Sequence, residues 1–148
     1  MCEHIVDANF IYLARPFWNH GNLIEAIRND KINLLTEREI GKKARYICSA
    51  LEAIHSAGFV HGDVRPKAIF LHKSVSNGAI ACAFGDFDRC CPIEIMREQS
   101  PYTETDLDRL LYLSPETIRS YELESTKASD VWSLGVTLYV LATGKYPF

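Results

Sequence analysis

One run limits the folds open to this chain more than any other: Ser129-Asp130-Val131-Trp132-Ser133-Leu134-Gly135-Val136-Thr137-Leu138-Tyr139-Val140-Leu141-Ala142. Drawn as a helix it is apolar on nearly all sides, and a water-soluble helix of that kind must be buried in the middle of a domain. Its longest nearly apolar part, Val131 to Ala142, is too short to span a bilayer. A second stretch, Phe59 to Asp88, carries the chemistry. Two carboxylates, Asp63 and Asp86, each stand just behind a short apolar run, and Ser76-Asn77-Gly78 lies between the runs with tight-turn composition. The expected geometry is two short strands folded back on each other, with an acidic group delivered at either side of the hairpin.

At 148 residues the chain is long enough for one domain with a sizeable core. A net charge of -3 supplies no global attraction to nucleic acid or to an anionic membrane, so neither is expected as a partner. No basic segment followed by an apolar run opens the sequence, so no secretory signal is visible, and Cys at position 2 argues against myristoylation. The five cysteines, Cys2, Cys48, Cys82, Cys90 and Cys91, form no Cys-x-x-Cys pair and have no His at zinc-ligand spacing. An odd count without framework spacing favours a reducing compartment, cytoplasmic or nuclear.

In chain order, Phe10-Ile11-Tyr12-Leu13-Ala14 reads as a buried strand and Pro16 to Gly21 as a linker. Asn22 caps a short helix that begins Leu23-Ile24-Glu25. Thr36 and Glu39 form a capping box for a long helix whose apolar face runs Ile40, Ala44, Ile47, Cys48, Leu51 and Ile54, and Gly58 ends it. Cys48 is thereby expected in the core. From Asp86 to Glu116 the chain is irregular and holds Ser100, Tyr102, Thr103 and Thr105, hydroxyls that suit either phosphorylation or a solvated loop. Ser114 and Pro115 then start another helix as N-cap and first helical residue.

Several motifs in register resemble the protein kinase superfamily, of the Ser/Thr type. His61-Gly62-Asp63-Val64-Arg65-Pro66-Lys67-Ala68 is similar to its catalytic loop, and Asp86-Phe87-Asp88 to its Asp-Phe-Gly motif. Ser114-Pro115-Glu116 resembles its Ala-Pro-Glu, and Asp130-Val131-Trp132-Ser133-Leu134-Gly135 its central helix. The resemblance implies a mainly α fold with short β-hairpins: a kinase-like C-terminal lobe that lacks most of the N-terminal lobe and the last C-lobe helices. Residues 1–15 would be the last N-lobe strand, 16–21 the hinge, and 22–148 the C-lobe to its central helix. Asp63 would orient the acceptor hydroxyl, with Arg65 in place of the catalytic-loop Lys. Asp86 would hold magnesium, Trp18 would lie in the adenine-binding hinge, and Phe70 would form the floor under the adenine ring. Phe87 and His61 would stack in the regulatory spine. Arg15 falls at the gatekeeper position and would crowd the adenine pocket; as a surface Arg at a strand end it would not.

Departures from the family pattern are as specific as the matches. Ala68 replaces the Asn that ligates a second metal, and a methyl group cannot coordinate magnesium. Gly62 replaces the Arg of His-Arg-Asp, Asp88 replaces the Gly of Asp-Phe-Gly, and Arg109 stands where a Thr aligns the catalytic Asp. These changes favour a catalytically impaired, pseudokinase-like domain acting through a protein partner, an active kinase being one such partner. The alternative is an active ATP-dependent Ser/Thr kinase represented by an incomplete chain. ATP and magnesium are the cofactors implied under either reading.

Overall fold

A computed structural model describes residues 3–28, 37–93, 107–119 and 125–148. The described elements run β1 (Glu3–Val6), β2 (Ile11–Ala14), α1 (Leu23–Arg28), α2 (Glu37–Ser56), β3 (Phe59–Val60), a 3-10 turn at Pro66–Ala68 and β4 (Ile69–Lys73). They continue with β5 (Ile80–Phe84), a 3-10 turn at Phe87–Arg89, β6 (Cys91–Pro92), α3 (Leu107–Leu110), α4 (Pro115–Arg119) and α5 (Lys127–Thr143). Strands pair only two at a time and always antiparallel: β1 with β2, β3 with β6, β4 with β5.

The helix ends follow from local chemistry. Asn22 Oδ1 accepts the Glu25 N–H at 3.0 Å, and Glu25 returns a carboxylate to the Asn22 N–H, so both orphan donors at the start of α1 are satisfied. Thr126 and Ser129 make the same reciprocal box at the start of α5, and Gly144 ends that helix at φ +68. Ser114 Oγ accepts from the Thr117 N–H at the start of α4, as Pro115 at its first position requires. The expected Thr36 cap lies outside the described residues, as do Ser100, Tyr102, Thr103 and Thr105.

The core forms where α2 and α5 close on the β4–β5 hairpin. Leu23, Ile47, Leu51, Val64, Ile69, Leu71, Leu134 and Leu141 make one buried cluster, with Phe84 and Leu138 packed against it. Each such side chain removed from water contributes about 1.5–3 kcal/mol. The Ser74–Ala79 turn closes the hairpin with Gly78 at φ +67, as the Ser-Asn-Gly composition predicts.

Four sequence expectations need correction. The strand at Phe10–Ala14 exists as β2, but it is exposed, with Leu13 78% accessible, because among the described elements only β1 packs extensively on it. Cys48 is exposed rather than core. The buried stripe of α2 is Lys43, Ile47 and Leu51, spaced by four residues, and Cys48 lies one position round from it. Central helix α5 buries Ser133, Leu134, Val136, Thr137, Val140 and Leu141, whereas Val131, Trp132 and Tyr139 are exposed, so one side of it is uncovered by the described residues. The segment after Asp86 is not wholly irregular either: β6 pairs back onto β3, and α3 follows at Leu107.

The linker at 16–21 is docked rather than loose. His20 donates to Leu71 O, Leu71 donates to Gly21 O, and the Asn19 side chain bonds both N–H and C=O of Lys73. Residues 19–22 therefore extend the β4 edge.

Candidate active site

Asp63 sits in the turn between β3 and the 3-10 turn at Pro66, and that turn hangs from α5. Asp130 accepts the His61 N–H at 2.8 Å on Oδ2 and the Gly62 N–H at 2.9 Å on Oδ1, while His55 Nε2 lies 2.8 Å from Oδ2. Thr137 of the same helix donates to Val64 O. One buried carboxylate thus holds three donors around the backbone that presents Asp63. Sequence reasoning quoted Asp130 only as part of a helix motif and missed His55 altogether. Its signal was a polar residue within a helix otherwise packed on α5.

Gly62 is required by that turn. Its φ is +75, and an added Cβ would stand 2.8 Å from the Arg89 carbonyl oxygen. The Arg of the family motif has no room at this position.

His61 ties the two acidic motifs together. Its Nε2 lies 3.1 Å from Gly85 O, and its Nδ1 accepts the Asp63 N–H at 3.2 Å, an arrangement satisfied by a neutral ring protonated on Nε2. Burial pushes the imidazole pKa down, against the pull of Asp130. The ring packs at 4.8 Å from Phe84 and 5.1 Å from Phe87, in contacts tilted by 52° and 49° rather than stacked.

The Asp63 carboxylate is held from both sides. Arg65 places Nε and Nη2 each 3.0 Å from Oδ2, a bidentate approach. Arg109, 1% exposed, brings Nε to 3.2 Å from Oδ1 as an ion pair and donates from Nη2 to Gly62 O. Burial pushes the Asp63 carboxyl up from the usual carboxylate range, and Arg65 pulls it back. The sequence marked Arg109 as a replacement; that its guanidinium crosses to Asp63 and Gly62 needed the tertiary arrangement. Its flanks, Leu107 and Leu110-Leu111, were the available hint of burial.

Asp86 opens the second acidic motif with φ +55, the only left-handed non-glycine among the described residues. Such a backbone is costly for Asp and marks a residue held by its surroundings. Its half-buried carboxylate makes no hydrogen bond or ion pair among the described residues, which suits a cation held by one carboxylate together with phosphate oxygens. Ala68, fully buried, lies back to back with Gly85 through the bond from Gly85 N to Ala68 O, and offers no ligand. Among the described residues no three His, Cys, Asp or Glu side chains converge as a metal set. Asp86 thus has the oxygen chemistry that magnesium requires, and Ala68 does not.

Phe70 lies on β4, half-buried, with the Arg15 guanidinium 4.5 Å from its ring centre. Trp18 stands on the docked linker, edge-on to His72 at 6.1 Å, and its carbonyl accepts the Gly21 N–H. The structure thus gathers Asp63 with Arg65, and links Asp86 to Phe70 through Gly85. Trp18 packs on the outer part of β4 instead.

No described helix is long and apolar enough to cross a membrane. The profile of the protein kinase domain matches residues 1–148. The chain is 30% identical over 141 residues to the serine/threonine-protein kinase Nek9 of Xenopus laevis, covering 95% of this chain and 14% of that protein. It is 32% identical over 155 residues to MAP kinase-interacting serine/threonine-protein kinase 1 of Xenopus tropicalis, covering 99% and 35%. Against the calcium and calcium/calmodulin-dependent serine/threonine-protein kinase of Lotus japonicus, identity is 31% over 156 residues, covering 100% and 26%. The chain spans at most about a third of the length of these relatives. With the whole sequence matched by one domain profile, and with relatives of one kind, the chain belongs to the protein kinase family.

Proposed function

We propose that this chain is a kinase-fold module with impaired phosphoryl transfer that acts by binding protein, an active kinase being one candidate partner. The observation that carries this reading is the double ion pair at Asp63. Phosphoryl transfer asks that carboxylate to accept a hydroxyl proton or to orient the hydroxyl. Two guanidiniums at 3.0–3.2 Å, Arg65 on Oδ2 and Arg109 on Oδ1, engage both carboxylate oxygens and compete with a substrate hydroxyl for their lone pairs. Ala68 adds to the impairment by withholding the second metal ligand.

The roles follow. Asp63 and Arg65 form the remnant of the transfer site. Asp86 holds magnesium where nucleotide binds, and Phe70 and Trp18 belong to the nucleotide side. Residues 1–15, which hold the β1–β2 hairpin rather than a single strand, act as the end of an N-terminal lobe, 16–21 as the hinge, and 22–148 as the C-terminal lobe. ATP supplies the phosphoryl group and magnesium its charge neutralisation when both are bound. Its partner class is protein, with neither a global positive charge nor, among the described residues, a spanning helix favouring nucleic acid or membrane, and its setting is a reducing compartment such as the cytoplasm.

A second reading, an active Ser/Thr kinase, draws on Asp86, whose backbone is held left-handed and whose carboxylate is unpaired. A transfer assay with labelled ATP, magnesium and a mixed Ser/Thr acceptor separates the two. Under the first reading transfer is at background, and Arg109→Thr combined with Ala68→Asn raises it. Losing one charge-stabilising group of this type costs about 10²-fold. Robust transfer by the unaltered chain that disappears in Asp63→Asn would establish the second reading instead.

A further inference from the structure

Arg15 directly follows β2 and is an exposed residue, yet its guanidinium lies over the Phe70 ring of β4. The guanidinium carbon stands 4.5 Å from the Phe70 ring centre, within the range of a cation–π contact. Gly85 completes the stack. A Cβ added there would fall 2.6 Å from Phe70 Cε2 and 2.7 Å from Arg15 Nη1, so both side chains lie flush on that backbone. Gly85 is itself fixed at both ends, by its N–H to Ala68 O and by its carbonyl to His61 Nε2. The Phe70 face thus carries a planar cation supplied by the chain, and both side chains abut the Gly85 backbone.

A planar guanidinium on a ring face occupies the volume a planar heterocycle would need. We infer that Arg15 is a specificity-determining residue that fills, with its own guanidinium, the Phe70 face on which a purine base would stack. This rests on the reading above that Phe70 belongs to a nucleotide site. It adds that the unaltered chain discriminates against adenine nucleotides because it carries its own occupant of that face. The discrimination resides in one exposed side chain, so removing it should open the site without disturbing the core.

The test is a fluorescence titration of the full chain with mant-ADP and magnesium, after circular dichroism melts confirm that each variant folds. Arg15→Ala should bind about two- to fivefold more tightly than the unaltered chain, the scale of a displaced exposed cation–π contact. Adding Phe70→Ala to that variant should reverse the gain. Equal affinity in Arg15→Ala and the unaltered chain would overturn the inference while leaving a nucleotide site standing. Weaker binding in Arg15→Ala would overturn it too, by making Arg15 a nucleotide contact. Failure of either protein to bind would show that Arg15 is not what excludes the base. A gain in Arg15→Ala that ignores Phe70→Ala would remove the Phe70 reading beneath it.

Discussion

Gly62, Arg109 and His61 each carry a consequence that can be measured on the single residue. Gly62→Ala forces a Cβ into a left-handed turn 2.8 Å from a carbonyl oxygen, and strain of this kind costs about 1–3 kcal/mol. Urea denaturation should show that loss, with an unchanged slope. Arg109→Met removes one partner of a buried pair and leaves Asp63 with Arg65 alone. Breaking such pairs costs about 3–5 kcal/mol, readable in the same experiment. His61 sets a pH dependence. Its folded pKa lies below the unfolded value of about 6.5, so the unfolded chain takes up the proton first. The stability from neutral His61 is complete above about pH 6.5 and is lost as pH falls towards the folded value. Asp63 runs the other way: its folded pKa is raised, so acidification through that value towards about 3.9 adds stability. Urea midpoints should therefore fall between pH 8 and mildly acidic conditions, and His61→Phe should flatten that part of the profile. A profile unchanged by the substitution would remove His61 as its source.

At the scale of elements, caps and turns were legible because they depend on neighbours within four residues. Asn22, Gly58, Ser114-Pro115 and the Ser76-Asn77-Gly78 turn do what their local chemistry demands. Thr126→Ala should cost α5 about 1 kcal/mol through its lost capping box, measured by thermal melting. Faces were less legible than ends. The periodicity of α2 admits both Ile47 and Cys48 to one apolar stripe, and only the position of the β4–β5 hairpin selects the first. A thiol reagent should therefore modify Cys48 in the native protein, whereas buried Cys91 should react only on unfolding. Equal protection of both would return Cys48 to the core. Strand β2 was recognisable by its apolar run, but no run of residues specifies whether another element lies over it.

For the whole molecule, the decisive question is whether the chain takes nucleotide. A thermal-shift titration with ATP and magnesium answers it, since a ligand at 100 times its dissociation constant stabilises a fold by about 2.7 kcal/mol. Where binding is seen, including in the Arg15→Ala background, Asp86→Ala should abolish its magnesium dependence and Asp63→Ala should leave it intact. Equal loss in both would reverse the assigned roles. The sequence by itself determined the family, the order of motifs, the two acidic positions and the missing ligand at Ala68. All are carried by residue identity at short spacing, which packing does not alter. Only the tertiary structure decided that Arg109 crosses 46 positions of chain to pair with Asp63, that Asp130 suspends the Asp63 turn, and that Arg15 lies over Phe70. Such contacts join segments far apart in the chain, and a charge or ring has no pattern in sequence that names its partner across that distance.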